Sequence, residues 1–159
     1  LGDLRNIGIA ASSGEYFCQW DDDDIYHPMR ISAMMAVLIQ SGADAAFLEQ
    51  WFLYDLPKNK LALSHKRVWE GSVIAKRCVG IIYPSRAKRE DTLMVNQLLQ
   101  SRSTVLVNAP LLYTYCVTGD NTWGPQHMNR LFQQAVKNFS EDEAAAVMES
   151  NPAFNLVLG

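Results

Sequence analysis

Four consecutive aspartates, at positions 21–24, limit what this chain can fold into more than any other feature. They follow "EYFCQW", a run of aromatic and β-prone residues, and precede Pro28 and the helix-like "MRISAMMAVLIQS". Like charges about 4 Å apart repel by about 1 kcal/mol in water and about 4 kcal/mol at the effective dielectric near a protein surface. The run therefore cannot carry the strand on into a core, and the segment reads as strand, acidic loop, helix. In open α/β sheets such a loop lies at the carboxyl end of a strand, where ligands bind. Two readings stay open on the residue pattern. The carboxylates gather a hard divalent cation such as Mg²⁺ or Mn²⁺, or they form a solvated loop in which one aspartate caps the helix. An EF-hand loop is excluded, because it needs an oxygen ligand at its fifth position and glycine at its sixth, where Ile25 and Tyr26 stand.

The same alternation of elements continues along the chain. "LRNIGIAAS" spaces Leu4, Ile7, Ile9 and Ala11 as a short amphipathic helix, ended by Ser-Ser-Gly. Gly42 predicts the end of the helix that Pro28 opens. "DAAFLEQWFLYD" and "LALSHKRVW" flank the turn-like "LPKNK" and predict a hairpin, and "GSVIAKRCV" predicts a further strand. In "SRAKREDTLMVNQLLQSR" the residues Leu93, Val95, Leu98 and Leu99 predict one face of a helix whose first turn holds Glu90 and Asp91. "TVLVNAPLLYTYCV" predicts one or two strands about Pro110. "PQHMNRLFQQAVKNF" predicts a helix with Met128, Leu131, Phe132, Ala135 and Val136 inward, and Ser140 with Glu143 predicts a capping box. The class is mixed α/β, without repeats or linkers.

Composition removes several function classes. With 159 residues, 48% of them hydrophobic and 19% charged, the chain can bury a real core. A net charge of −3 with scattered basic residues argues against a nucleic-acid groove, and no apolar run approaches the ~20 residues of a membrane span. Cys18, Cys78 and Cys116 are odd in number and each lies in an apolar run, which predicts buried free thiols in a reducing compartment. His27, His65 and His127 read as surface or helix-end residues.

"LRNIGIAASSGEYFCQWDDDDIYHPMRI" resembles the central motif of family-two glycosyltransferases of the GT-A fold: an "ARNxGI" helix, a "GEY" strand, an acidic "DxDD" and a proline-initiated helix. "GSVIAKR" is similar to the strand these enzymes place between the two halves of the site, and "KREDTLMVNQLLQ" to their "ED" helix. "NAPLLYTYCVTGDNTW" resembles their closing strands and "YxxxxGxNT" stretch, so the resemblance spans residues 1–123. It implies a partial GT-A-type, Rossmann-like mixed sheet flanked by helices. The single domain divides into a metal and nucleotide segment at 1–42, an acceptor-side segment at 43–123 and C-terminal helices at 124–159. It further implies transfer of a sugar from a nucleoside-diphosphate sugar, such as a UDP-sugar, to a hydroxyl of a carbohydrate or lipid-linked acceptor, with Mn²⁺ or Mg²⁺ as cofactor. By the same resemblance Asp23 is the direct metal ligand with Asp21 beside it. Arg5, Asp21, Asp22 and Glu90 contact the nucleotide sugar, Asp91 is the catalytic base of an inverting single displacement, and Asp24 is left to cap or support the following helix. Asn121, Thr122 and Trp123 close over the donor. Where some members have a histidine before the "GxNT" stretch, this chain has Thr118, which leaves the third metal ligand unassigned.

Family habit places such enzymes in polysaccharide assembly, in the cytoplasm or at the inner face of the cell membrane. The strands and helices that build the base pocket in these enzymes precede the "ARNxGI" helix. The expectation is therefore a piece of a longer protein, with sheet edges open to homodimer contact, with donor binding weak or absent on its own, and with transfer activity expected of the longer protein rather than of the piece. Two rivals stand beside this reading: a non-catalytic interaction module on a degenerate transferase fold, and a haloacid-dehalogenase-type phosphatase. The phosphatase motif carries Thr or Val where Ile25 stands.

Overall fold

The computed structural model describes residues 1–155. Its elements alternate as the sequence predicts: α1 (Gly2–Ala11), β1 (Tyr16–Cys18), β2 (Ile25–Tyr26), α2 (Arg30–Ser41), β3 (Ala45–Leu48), β4 (Phe52–Asp55), β5 (Lys60–Leu63), β6 (Ile74–Lys76), α3 (Glu90–Ser101), β7 (Thr104–Val107), β8 (Tyr113–Val117), α4 (Pro125–Gln133), β9 (Lys137–Asn138), α5 (Glu141–Ser150) and α6 (Pro152–Asn155). Short 3₁₀ turns flank β6 and precede β8. The class is the predicted mixed α/β, built on two sheets rather than one, and the chain forms two compact units, each assembled from three stretches.

The first unit comprises Leu1–Trp20, Ser32–Phe47 and Trp69–Val107. Its sheet has the order β1-β6-β3-β7, with β6 antiparallel to both β1 and β3. Its buried side chains include Met34 and Leu38 of α2, Phe47, Ile74, and Met94, Val95 and Leu98 of α3. On α3 the inward stripe is Glu90, Met94, Val95 and Leu98, while Leu93 and Leu99 are exposed. The predicted face was therefore rotated: a stripe at i, i+4, i+5 and i+8 starts from Glu90, a charged residue that hydrophobic periodicity passes over. The expected apolar face of α1 is likewise not buried. Leu4 is 68% and Ile7 63% exposed; α1 is held instead by polar contacts of Arg5 and Asn6 and by its N-terminus, where a Cβ on Gly2 would lie 2.1 Å from the carbonyl oxygen of Pro84. Only glycine fits that approach.

The second unit comprises Asp21–Ile31, Leu48–Val68 and the chain from Asn108 onward. Its sheet has the order β2-β8-β4-β5-β9. The predicted hairpin is β4–β5, antiparallel from Phe52↔Leu63 to Asp55↔Lys60, while β4 runs parallel to β8. One core cluster joins Ile25, Phe52, Tyr54, Leu61 and Cys116 of the sheet to Ala144 of α5 and to Ala153 and Phe154 of α6. Phe154 meets Tyr54 edge-on, ring centroids 5.7 Å apart. The helix predicted over 125–139 stops at Gln133, because Val136 donates to the Leu63 carbonyl and the chain turns into β9 on the open edge of β5. Val136, expected inward, is 60% exposed. A two-residue strand has no periodicity to read, and the same is true of β2.

The Ser140–Glu143 capping box is present as predicted, with Ser140 Oγ accepting from the Glu143 N–H and Glu143 Oε2 accepting from the Ser140 N–H. Ser140→Ala is expected to lower the unfolding free energy by about 1 kcal/mol in a denaturant titration. Of the cysteines, Cys116 is buried and Cys18 half-buried, but Cys78 is exposed in the 3₁₀ turn after β6, outside the strand into which the sequence pattern had placed it.

Candidate functional site

The four aspartates, alike in sequence, are separated by the turn they form. The turn is fixed from below: the Asp21 N–H donates to Tyr26 Oη at 2.8 Å, and that hydroxyl donates back to the Asp21 carbonyl at 2.9 Å. Asp22 and Asp23 are exposed and Asp21 half-buried. Asp24 turns the other way. Its carboxylate accepts from the Tyr113 hydroxyl and from the Cys116 N–H, the latter at 2.9 Å, and so ties the turn to β8. The register Ile25↔Thr114, Tyr26↔Tyr113 places those donors beside it. Burial, more than those two donors can offset, pushes the Asp24 carboxyl up to about 7, and burial likewise drives the Cys116 thiol to about 12. Of the two roles expected for Asp24, capping or supporting the following helix, capping is not seen: its carboxylate is bonded to β8. His27 takes that place, its Nδ1 accepting from the Met29 N–H at 3.1 Å.

Beneath the turn lies Arg30, fully buried, with its guanidinium 4.5 Å from the Tyr26 ring centroid and 5.2 Å from that of Tyr113. Sequence reading passed over Tyr26, Arg30 and Tyr113 as site-building residues. The available signal was the clustering of tyrosines around the acidic motif and in "LLYTYCV".

Desolvation, with help from the charges of Asp21 and Asp22, holds the Asp23 carboxyl above its ordinary range. One neutral neighbour reaches it: Asn121 Nδ2 lies 3.5 Å from Asp23 Oδ2. Asn121 is itself locked, Oδ1 accepting from the Thr118 N–H and Nδ2 donating to the Cys116 carbonyl, both at 2.9 Å. The loop doubles back at Gly119, whose φ of +101° favours glycine. Thr118, at the position of the family's histidine, spends its hydroxyl on the Asp120 N–H.

These residues suit a hard divalent cation. Asp23 and Asp21 offer oxygen donors on an exposed turn, burial first and the charges of Asp21 and Asp22 second raise the Asp23 carboxyl, and Asp24 is already committed to the fold. Among the described residues no three His, Cys, Asp or Glu side chains form a metal-holding group.

The first unit holds the other predicted residues. Arg5 Nε lies 3.5 Å from Glu90 Oε1, and its guanidinium sits 5.7 Å from the Tyr83 ring centroid. Glu90 is buried, so two residues expected on the nucleotide sugar face each other. Asn6 beside Arg5 clamps the Tyr83 backbone, donating to its carbonyl at 2.8 Å and accepting from its N–H at 2.9 Å. Asp91 is half-buried in the first turn of α3, its Oδ1 accepting from the Thr92 N–H at 2.7 Å. The Thr92 hydroxyl lies between Asp91 and Glu70, 3.4 and 3.5 Å from their carboxylates. Asp91 Oδ2 takes no hydrogen bond from any described residue, so one carboxylate oxygen is open to accept a proton.

The fold is shared with crystal structures of S. aureus TarS. For TarS 1-349 in complex with UDP the TM-score is 0.57 at 14% identity, covering 92% of this chain and 48% of that one. A second crystal structure of TarS 1-349 gives 0.56 at 14% over the same shares, and a further TarS structure gives 0.56 at 15%, covering 94% of this chain and 30% of that one. The chain thus spans about half the length of TarS 1-349. No curated protein matches the sequence significantly. The sequence profile described as "Glycosyl transferase family 2" matches residues 1–82. That stretch is more than half of the chain and runs from α1 through the aspartate turn to the residues after β6, and on it the chain belongs to glycosyl transferase family 2.

Proposed function

We propose that the protein transfers a sugar from a nucleoside-diphosphate donor to an acceptor hydroxyl, with inversion at the anomeric carbon. The observation that carries the reading is the division of the aspartate run, with Asp21, Asp22 and Asp23 on an exposed turn and Asp24 spent on holding that turn to β8. Asp21 and Asp23 would hold a Mn²⁺ or Mg²⁺ ion, which when bound supplies Lewis-acid stabilisation of the leaving diphosphate. Asn121 steadies the Asp23 carboxylate, and the Asp21 backbone is held by Tyr26. Asp91 takes the proton of the acceptor hydroxyl on its open oxygen, a role that needs a fixed carboxylate, which the first turn of α3 provides. A base of this kind makes a direct displacement sufficient, without a covalent sugar–enzyme intermediate. By the family resemblance Arg5, Glu90 and Asp22 are assigned to the nucleotide sugar; within the first unit Arg5 and Glu90 pair with each other.

The bound UDP of one TarS structure supports a UDP-sugar as donor. A carbohydrate or lipid-linked acceptor is in keeping with the family, and so is work at the cytoplasmic face of a membrane. No helix among the described residues is long and apolar enough to cross one.

Calorimetry with Mn²⁺ and UDP tests the reading. UDP binding is expected to require Mn²⁺, and Asp23→Asn to weaken it about 10- to 100-fold. Replacement of Asp142, an exposed first-turn residue of α5, is expected to leave it unchanged. Equal affinity in the Asp23 variant would remove the aspartate turn from nucleotide binding.

A further inference from the structure

The second unit contains a cavity of about 170 Å³ between the β4–β5 turn, the loop after β8 and the start of α4. It is well below the ~300–1,000 Å³ typical of sites for drug-sized ligands, and its scale is that of one sugar ring. Its wall combines Trp123, Met128, Lys58, Asn121, Asn129 and the backbone of Gly119.

The charges around it are already balanced. Asp55 is buried and accepts from the Lys58 N–H at 3.3 Å and from Lys58 Nζ at 2.7 Å, so the pair leaves little net field for an anion or a cation. Lys58 Nζ still has donors to spare beyond that single bond. The Asn129 side-chain amide makes no hydrogen bond to any described residue, so both its donor and its acceptor are available. Trp123 is 37% exposed and stacks at 4.9 Å on His127, which fixes the indole plane. Met128 beside it is buried and apolar. A flat aromatic surface, an apolar floor, an uncommitted amide and an ammonium donor match a ligand with one C–H face and a rim of hydroxyls.

We infer that this cavity is a subsite for a single neutral sugar ring, stacked on Trp123 and hydrogen-bonded by Asn129 and Lys58. It adjoins the aspartate turn through Asn121, which lines the cavity and reaches Asp23. Resting on the transfer reading above, the ring is a unit of the acceptor, which gives Trp123 and Asn121 an acceptor role in place of the donor-closing one the resemblance implies, and the acceptor is a glycan rather than a bare lipid alcohol.

Saturation-transfer NMR on this chain with glucose, N-acetylglucosamine and uridine, without metal or donor, tests the inference. Saturation transfer to at least one of the two sugars is expected, and none to uridine. Trp123→Ala and Asn129→Ala should each weaken the sugar by about tenfold, equivalent to about 1.4 kcal/mol, with Trp123→Phe intermediate and replacement of the exposed Asp142 of α5 without effect. Circular dichroism verifies that each variant is folded, and both altered residues are exposed. No transfer to either sugar, uridine binding in their place, or sugar binding undiminished in folded Trp123→Ala would each overturn the subsite. Because neither metal nor donor is present, these results stand apart from the Mn²⁺–UDP titration, whose failure would instead overturn the transfer reading.

Discussion

Asp91→Asn is expected to lower sugar transfer by about 10²- to 10⁴-fold, the contribution of a positioned general base, while leaving Mn²⁺-dependent UDP binding unchanged. The geometry explains the split. Asp91 presents one oxygen to the Thr92 N–H at 2.7 Å and keeps the other free of described partners. An asparagine can keep the first contact through its carbonyl oxygen and put an amide NH₂ in the second position, where it donates instead of accepting. The variant thus preserves the helix turn and loses only proton acceptance. Steady-state kinetics with the donor and acceptor, run beside calorimetry on the same preparation, check both halves. Unaltered turnover would remove Asp91 from the role of base. A parallel loss of UDP binding would make it a structural residue.

Asp24→Ala is expected to be the most destabilising single change in the acidic run, by about 3–5 kcal/mol in thermal or denaturant unfolding. It leaves the fully buried Tyr113 hydroxyl and the Cys116 N–H without their acceptor, and each unsatisfied buried donor costs about 1–3 kcal/mol. Asp22→Ala, on an exposed side chain of the same turn, is expected to fall within about 0.5 kcal/mol of wild type. Asp24→Asn separates charge from hydrogen bonding, because it keeps an acceptor and stays neutral at all pH values. Burial raises the folded-state carboxyl from the ordinary carboxylate range to about 7, so between about pH 4 and 7 the folded protein holds a proton that the unfolded chain releases. Its contribution to stability is full below pH 4 and is lost as pH rises through 7. Measured without metal between pH 5 and 8, wild type should lose stability relative to Asp24→Asn as pH rises. The opposite trend, or parallel curves, would show the carboxylate charged and well accommodated in the folded state.

The element order and the side-chain roles were legible in the sequence to different degrees. α1, α2, the β4–β5 hairpin, α3 and the Ser140 box could be read because each has a local cause: a glycine or proline boundary, a period of 3.6 or a capping pair. β2 and β9 could not, since two-residue strands exist only through partners on β8 and β5. The rotated face of α3 came from a buried glutamate that pairs with Arg5, a contact spanning 85 positions of sequence. The exposed apolar side of α1 shows the converse: amphipathic spacing predicts a face able to pack, while burial depends on what the rest of the chain lays against it.

The aspartate run marks the boundary most clearly. The sequence by itself determined that four adjacent carboxylates must lie in a loop at a strand end, since like charges at that spacing cannot share a dry core, and its motif order placed the chain in its family. Tertiary structure alone decided which aspartate does what. Local pattern cannot distinguish four identical side chains; the pairing of β2 with β8 does, by bringing the Tyr113 hydroxyl and the Cys116 amide to Asp24 while Asp22 and Asp23 stay exposed and Asp21 half-buried.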